Sequence, residues 1–357
     1  MGKEKTILVI NLGSTSTKVA LSTSGTLLFT ESVNHPAEEL KQYKAIIDQY
    51  DLRKDTILKV LSDKGLSLDG IDAVASRGGN MKPIPGGIYE ICPAMIDDMK
   101  SGKYGQHPNM CGGIVAYELG KAHNIPALTV DPPTVDEMCA YAHYSGIPHV
   151  KRQSSFHALN SKATARKIAA RLGKDYEHVN LITAHLGGGI SVGAHQNGKV
   201  VDVNNALDGD GPFSPERAGT LPAGDQVKLC FSGDYTKEQV YRLVQGGGGL
   251  VAYLGTTSGL EIEKRISGGD AVAAEVFEAM SYQVAKEIGA CAAVLKGRVD
   301  AIALTGSLAY SQRLTESLKE KVSFIAPVLL DPGENEMEAL AAGAMRYFNG
   351  EEQLSTY

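Results

Sequence analysis

The chain has 357 residues, more than one hydrophobic core ordinarily organises, so two domains are expected. Hydrophobic residues make up 43% and charged residues 21%, and the longest apolar runs, such as Ile7-Leu8-Val9-Ile10, are strand-sized, so no segment is expected to span a bilayer. Thirty-five basic residues against 41 acidic ones leave a formal charge of −6 with no basic block, which argues against a nucleic-acid partner.

Five scattered cysteines (Cys92, Cys111, Cys139, Cys230 and Cys291) offer no C-x-x-C pair for a zinc or dithiol site. Only four strongly apolar residues precede Asn11, too few for a secretory h-region, and a cytoplasmic protein is expected. Forty glycines mark places where the backbone turns tightly or approaches something closely.

In chain order, residues 7–10 read as a buried strand, 11–17 as a polar turn of small residues and 18–22 as a second strand, together a hairpin. Residues 48–64 have helical spacing and stop at Gly65. A short strand then ends in Ser76-Arg77-Gly78-Gly79, and a helix over 108–122 follows His107. The strand 127–130 runs into Asp131-Pro132-Pro133. Ser155 is placed to cap a helix through Leu172 that Gly173 ends. Residues 181–184 lead into His185-Leu186-Gly187-Gly188-Gly189, then a strand over 190–194 and a turn at Asn197-Gly198. Residues 207–219 form a long structured loop, and 246–249 a flexible or closely packed turn with no assigned chemistry. An alanine-rich helix is expected over 271–297, a short strand in the run 298–306 that ends in Gly306, and a helix over 336–348 with a small-residue face at Ala339, Leu340, Ala342 and Gly343. Strands alternating with helices imply an α/β fold.

The chain repeats itself. Leu12-Gly13 aligns on Leu186-Gly187, Ala20 on Ala194, and Gly25 falls within one position of Gly198. Gly70-Ile71-Asp72-Ala73-Val74-Ala75-Ser76-Arg77-Gly78 parallels Arg298-Val299-Asp300-Ala301-Ile302-Ala303-Leu304-Thr305-Gly306. Two correspondences in the same order argue for duplication of one α/β unit.

The first tip, 11–18, allows backbone N–H groups and hydroxyls to converge on an anion, with Lys18 adding charge. No Walker A pattern exists, and Gly187-Gly188-Gly189 fails the dinucleotide spacing. One small-residue tip is as consistent with a tight turn as with a ligand loop; two, one per half, facing across a cleft, are expected to grip a polyphosphate. Arg77, at a strand end crowded by glycines, suits bidentate hold of a carboxylate. His107 and Asn109 either cap a helix or face a cleft. Asp131 either binds a ligand or Mg²⁺ at a strand's carboxyl end or simply forms the turn before two prolines. Arg217 is the expected working end of the 207–219 loop.

With Asn11-Leu12-Gly13-Ser14-Thr15-Ser16-Thr17-Lys18, Asp131-Pro132-Pro133, Phe156-His157-Ala158-Leu159-Asn160, His185-Leu186-Gly187-Gly188-Gly189-Ile190-Ser191 and the run Asp208 to Arg217, the chain resembles the acetokinase family, of the superfamily of sugar kinases, actin and heat-shock chaperone ATPases. The resemblance covers nearly the whole chain. It implies two duplicated ribonuclease-H-like (actin-like ATPase) domains with an interdomain active-site cleft: residues 1–152 on the carboxylate side, completed by a C-terminal helix over 337–357, and residues 153–336 on the nucleotide side.

It further implies ATP-dependent phosphorylation of a short fatty acid, reversibly, with butyrate first and isobutyrate, acetate and propionate as alternatives. ATP or ADP and Mg²⁺ would be bound, and a homodimer or larger oligomer is implied. By position, Asn11, Ser14, Ser16 and Lys18 would form one phosphate loop, and His185, Gly187, Gly188 and Gly189 the other. Gly306 and Ser307 would lie by the adenosine. Arg77 would hold the substrate carboxylate, with His107 and Asn109 beside it, Asp131 and Glu336 would organise Mg²⁺ directly or through water, and His157 and Arg217 would meet the transferring phosphoryl group. Leu12 stands where the family pattern has proline, and Gly188 where many acetate kinases have asparagine. The rival classes are a chaperone-like ATPase switch, with appreciable hydrolysis of ATP without an acid, and a sugar kinase, needing a general base such as Asp131.

Overall fold

A computed structural model describes residues 4–357. The strands, in order, are β1 (Thr6–Leu12), β2 (Ser16–Thr23), β3 (Thr26–Asn34), β4 (Ala73–Ser76), β5 (Ile88–Glu90), β6 (Ala127–Val130), β7 (Asn180–Leu186), β8 (Ile190–Gln196), β9 (Lys199–Val203), β10 (Ala301–Gly306), β11 (Val328–Pro332) and β12 (Leu354–Ser355). The chain divides into two compact units, Met1–Val135 with Asn335–Tyr357, and Asp136–Glu334.

The first unit holds a seven-stranded sheet in the order β12-β5-β6-β4-β1-β2-β3, the second a five-stranded sheet in the order β11-β10-β7-β8-β9. Within each, an antiparallel three-stranded meander (β1-β2-β3; β7-β8-β9) is followed by parallel additions on the other side of its first strand (β4 then β6; β10 then β11). Both central strands are apolar and buried, as strands covered on two faces must be.

The duplication holds residue by residue. Ile7 pairs with Ala73 and Leu181 with Ala301, the register that the sequence correspondence requires. Asp72 and Asp300 make the same clasp: each accepts from the first strand's amide, Thr6 N at 2.9 Å and Asn180 N at 2.8 Å, and each donates its own amide to the same residue's carbonyl at 2.8 Å. One alignment needs correction. The first tip leaves four residues between the paired Leu12 and Thr17, the second three between Leu186 and Ile190. Beyond the tips the equivalence therefore moves by one, so Ala20 answers to Gly193 rather than Ala194, and Gly25 falls on Gly198. Both of these glycines follow a left-handed residue, Ser24 or Asn197, as two-residue hairpin turns demand.

Helices cover both faces of each sheet. In the first unit Gly120 of the helix Asn109–His123 packs on Ala127, while Gly343 of Glu336–Phe348 packs on Val130; residues of opposite parity on β6 point to opposite faces. In the second, Ala271–Val294 buries Phe277, Met280 and Val284 against Ile182 and Ala184, and Ala158–Arg171 buries Ala165 and Ile168 against Leu181 and Ala301. Two helix ends differ from expectation. The helix expected to start at Ser155 begins at Ala158, because the Ser155 carbonyl is taken by the Ala206 amide. The long helix stops at Val294, and Lys296 and Gly297 then take left-handed backbone.

Candidate active site

In the first unit, the ends of β1 and β4 and the first turn of the helix Glu336–Phe348 meet. The Glu336 carboxylate accepts from Asn11 Nδ2 at 2.6 Å and forms an ion pair with Arg77 at 2.8 Å. Lys18 stands directly across the β1–β2 ladder from Asn11. Gly78 and Gly113 lie backbone to backbone, an added Cβ on Gly113 standing 3.3 Å from Gly78 Cα, which seats the Arg77 strand end against the helix Asn109–His123.

His107, whose Nδ1 accepts from the Asn109 amide at 3.2 Å, is held down to about pKa 4 by burial and then by the Arg77 charge, with Glu336 opposing. Asn109 is buried with its Oδ1 unpartnered. Asp131 is buried with φ 41°, strained for a non-glycine residue, and exchanges hydrogen bonds with the Gly87 backbone.

The second unit repeats the clamp in neutral form. Asn160, in the first turn of its helix, donates to His185 Nδ1 at 2.9 Å and to Thr305 Oγ1 at 3.1 Å. By strand register His185 answers to Asn11 and Thr305 to Arg77, so Asn160 does for this half what Glu336 does for the other. The His157 ring stacks on His185 at 3.7 Å between centroids, and its Nδ1 is 3.0 Å from Ser191 Oγ.

The second tip is tied to the 207–219 loop. The Arg217 guanidinium lies on Gly189 and donates to the Ala206 carbonyl at 2.8 Å, while the Ser214 hydroxyl donates to the Gly188 carbonyl. The 246–249 glycines are close packing in support of that loop: Gly246 N bonds Glu216 O, Leu250 N bonds Ser214 O, and a Cβ on Gly249 would overlap the Ser214 carbonyl. A groove of about 400 Å³ is lined by Gly187, Gly188 and Glu216, by Thr257 to Leu260, and by Ser307, Tyr310 and Ser311.

Of the expected residues, Asn11, Arg77, His107 and Glu336 are thus drawn together in one unit, and His157, His185, Gly188, Gly189 and Arg217 in the other. Gly306, left-handed at φ 87°, exchanges hydrogen bonds with Gly333 and brings Ser307 to the groove. Asn160 and Thr305 carried no role in the sequence reading, although both lie in its motifs. Thr257 to Glu263 and Tyr310 gave no signal at all. Among the described residues no group of three or more histidine, cysteine or carboxylate side chains could hold a metal ion. The two carboxylates expected to organise Mg²⁺ are engaged within the unit, Asp131 by the Gly87 amide and Glu336 by Asn11 and Arg77.

The two sheets, with a meander and parallel additions in each, define the duplicated ribonuclease-H-like class that contains sugar kinases and actin. The chain belongs to the Acetokinase family, whose pattern matches residues 139–343. It is similar to butyrate kinase 2 of Clostridium acetobutylicum, with 50% identity over 351 residues, 98% of this chain and 99% of that one. Among solved structures it resembles Porphyromonas gingivalis acetate kinase (TM-score 0.77, 22% identity, 96% of this chain and 100% of that one). A propionate kinase from Francisella tularensis is comparable (TM-score 0.74, 17% identity, 95% and 98%). No helix of the described residues is long and apolar enough to cross a membrane.

His195 is fully buried, its Nε2 2.7 Å from Thr183 Oγ1 and its Nδ1 2.8 Å from the Tyr176 hydroxyl, and burial, then Lys162 and Arg166, push it down to about 3. A histidine depressed in the folded state binds its proton first in the unfolded chain, so stability is whole above about pH 6.5 and falls as pH drops toward the folded value. By pH 4, His195 and His107 should each remove about 3 kcal/mol. Urea unfolding at pH 7 and pH 4.5 should show the loss, and His195→Gln should flatten the slope; an unchanged slope would contradict the assignment.

Proposed function

We propose that the protein is a carboxylate kinase that transfers the γ-phosphoryl group of ATP to butyrate, reversibly giving butyryl phosphate and ADP. The observation that carries this reading is the 50% identity, over nearly the full length of both chains, to a butyrate kinase. The geometry agrees with it. A carboxylate is already ionised at neutral pH, so the reaction calls for no general base, only orientation and charge neutralisation.

In the first unit, the remaining donors of Arg77 would hold the acid, with Glu336 fixing the guanidinium and uncharged His107 and buried Asn109 beside it. The tip from Asn11 to Lys18 would offer amides, hydroxyls of Ser14 and Ser16, and the Lys18 ammonium to the terminal phosphates. In the second unit, Gly187, Gly188 and Gly189 would take phosphate, and the groove by Gly306, Ser307 and Tyr310 would take adenosine. His157 and Arg217 would meet the equatorial oxygens of the transferring group, where transition-state charge accumulates. Mg²⁺ carried on the nucleotide supplies neutralisation of its phosphate charge.

The test is trapping of acyl phosphate by hydroxylamine, with ATP and a panel of linear and branched acids of two to five carbons. One methylene in an apolar pocket is worth about 1–3 kcal/mol, so butyrate should lead its neighbours rather than stand alone. ATP hydrolysis without any acid, and no hydroxamate with all of them, would overturn the reading. Arg77→Ala should raise the KM for butyrate about 100-fold, with the KM for ATP little changed. Equal rises in both would remove Arg77 from the acceptor site.

A further inference from the structure

Arg53 lies in the helix Tyr50–Asp63, next to the half-exposed Lys54, and is fully buried. Among the described residues no carboxylate forms an ion pair with it, and of the carboxylates only the more distant Glu39 favours its charged form. Its guanidinium donates to neutral oxygens only: Ser14 O at 3.0 Å, Ser16 O at 2.7 Å, Thr17 Oγ1 at 3.2 Å and Gln49 Oε1 at 3.0 Å. Two of these are main-chain carbonyls of the first tip. The carbonyl between them, of Thr15, accepts from the His35 amide at 2.8 Å, and the Ser16 carbonyl also takes the Gly13 amide at 2.9 Å. Three successive carbonyls, the groups that would repel a phosphate, are thereby held by donors of the unit itself.

In a trans peptide the C=O and N–H point in opposite directions, so fastening the Ser14 carbonyl to Arg53 turns the Thr15 N–H away from it. Ser14 and Thr15 are the exposed residues of the tip. A buried cation costs free energy unless it is fully hydrogen-bonded, and its field in a low-dielectric interior is little screened. An apolar side chain would fill the same space without that cost, but would orient no carbonyl.

We propose that Arg53 is a positioning residue for phosphate binding: from beneath, it holds the tip of residues 13–16 with the carbonyls of Ser14 to Ser16 turned in and the amides of Thr15 and Ser16 turned out, and it places a buried positive charge behind them. Arg53 itself touches no substrate. The inference rests on the reading of this tip as a phosphate loop, and the experiment separates the two.

The measurement is calorimetric binding of AMPPNP with Mg²⁺ and of AMP to wild type, Arg53→Lys and Arg53→Ala, with Lys59→Ala, exposed on the same helix, as control. Wild type should bind AMPPNP more tightly than AMP. Lysine lacks the planar fork that reaches two carbonyls, so Arg53→Lys should weaken AMPPNP about tenfold or more and leave AMP within about twofold. Guanidinium added to Arg53→Ala should restore AMPPNP affinity. A folded Arg53→Lys that binds AMPPNP as wild type does, one that loses AMP and AMPPNP alike, or a folded Arg53→Ala that guanidinium does not rescue, overturns the positioning role. Should Arg53→Ala not fold, Arg53→Lys decides alone. A wild type that binds AMP and AMPPNP equally sinks the phosphate-loop reading, and this role with it.

Discussion

Arg217→Ala is expected to lower turnover by ~10³-fold or more at saturating ATP and acid, because an arginine on the transferring phosphoryl group acts mainly in the transition state. The guanidinium is suited to that work. Burial lowers its pKa from the usual arginine value, yet an arginine stays charged. The nearest carboxylate, Glu216, stands 3.9 Å away, and the buried Nε has no partner. Its charge is therefore positioned by the Ala206 carbonyl and offset only in part, by Glu216 and Asp208. Arg217→Lys should not recover the rate, since one ammonium cannot reproduce the fork. Initial rates of hydroxamate formation decide the matter, and a loss below about tenfold would take Arg217 out of the reaction.

A second large effect is expected from a single methyl group. A Cβ on Gly189 would overlap Arg217 Nη1 and stand 2.8 Å from its Cζ. The obstacle is the mobile end of a side chain, so Gly189→Ala should fold with a nearly unchanged denaturation midpoint while its guanidinium is displaced. A displacement of about 1 Å at a reacting group can cost about 100-fold in rate. Gly188→Ala, whose Cβ would meet only the half-exposed Glu216 carboxylate at 3.1 Å, should be much milder. If the loss at Gly189 acts through Arg217, the double variant Gly189→Ala/Arg217→Ala should be no slower than Arg217→Ala; additive losses would refute that coupling.

Much of the frame was legible in the residues. Contiguous periodicity exposes the hairpins that end in Gly13 and Gly187, the strand Ala127–Val130 and the helix Glu336–Phe348, because these are local patterns of burial. The strands β3, β5, β9, β11 and β12 went unforeseen. Four of them are sheet edges, and β3, half exposed along its length, carries the mixed pattern an edge allows. The sequence showed a one-position offset between Gly25 and Gly198 but not that it lies in the tips, since a hairpin's register depends on its turn and not on its letters.

The candidate site divides in the same way. Small residues at a strand end, an arginine before paired glycines and a charged loop rich in glycine and proline announce themselves, since each departs from what a core or a surface requires. Arg53 does not, because a helix position that faces a loop 37 residues away in sequence looks like any solvated arginine. The matched clamps, Glu336 joining Asn11 to Arg77 and Asn160 joining His185 to Thr305, are equally invisible: one spans 325 residues and the other 145.

By itself, then, the sequence determined the duplication, the α/β class and the residue types available for phosphate and carboxylate, because these are written in short-range pattern and in chemistry. Only the tertiary structure decided which of those side chains meet, which are neutralised and which amides are aimed outward. Such choices depend on contacts between distant segments, whose partners are selected by the packing of whole sheets and helices and not by any local preference.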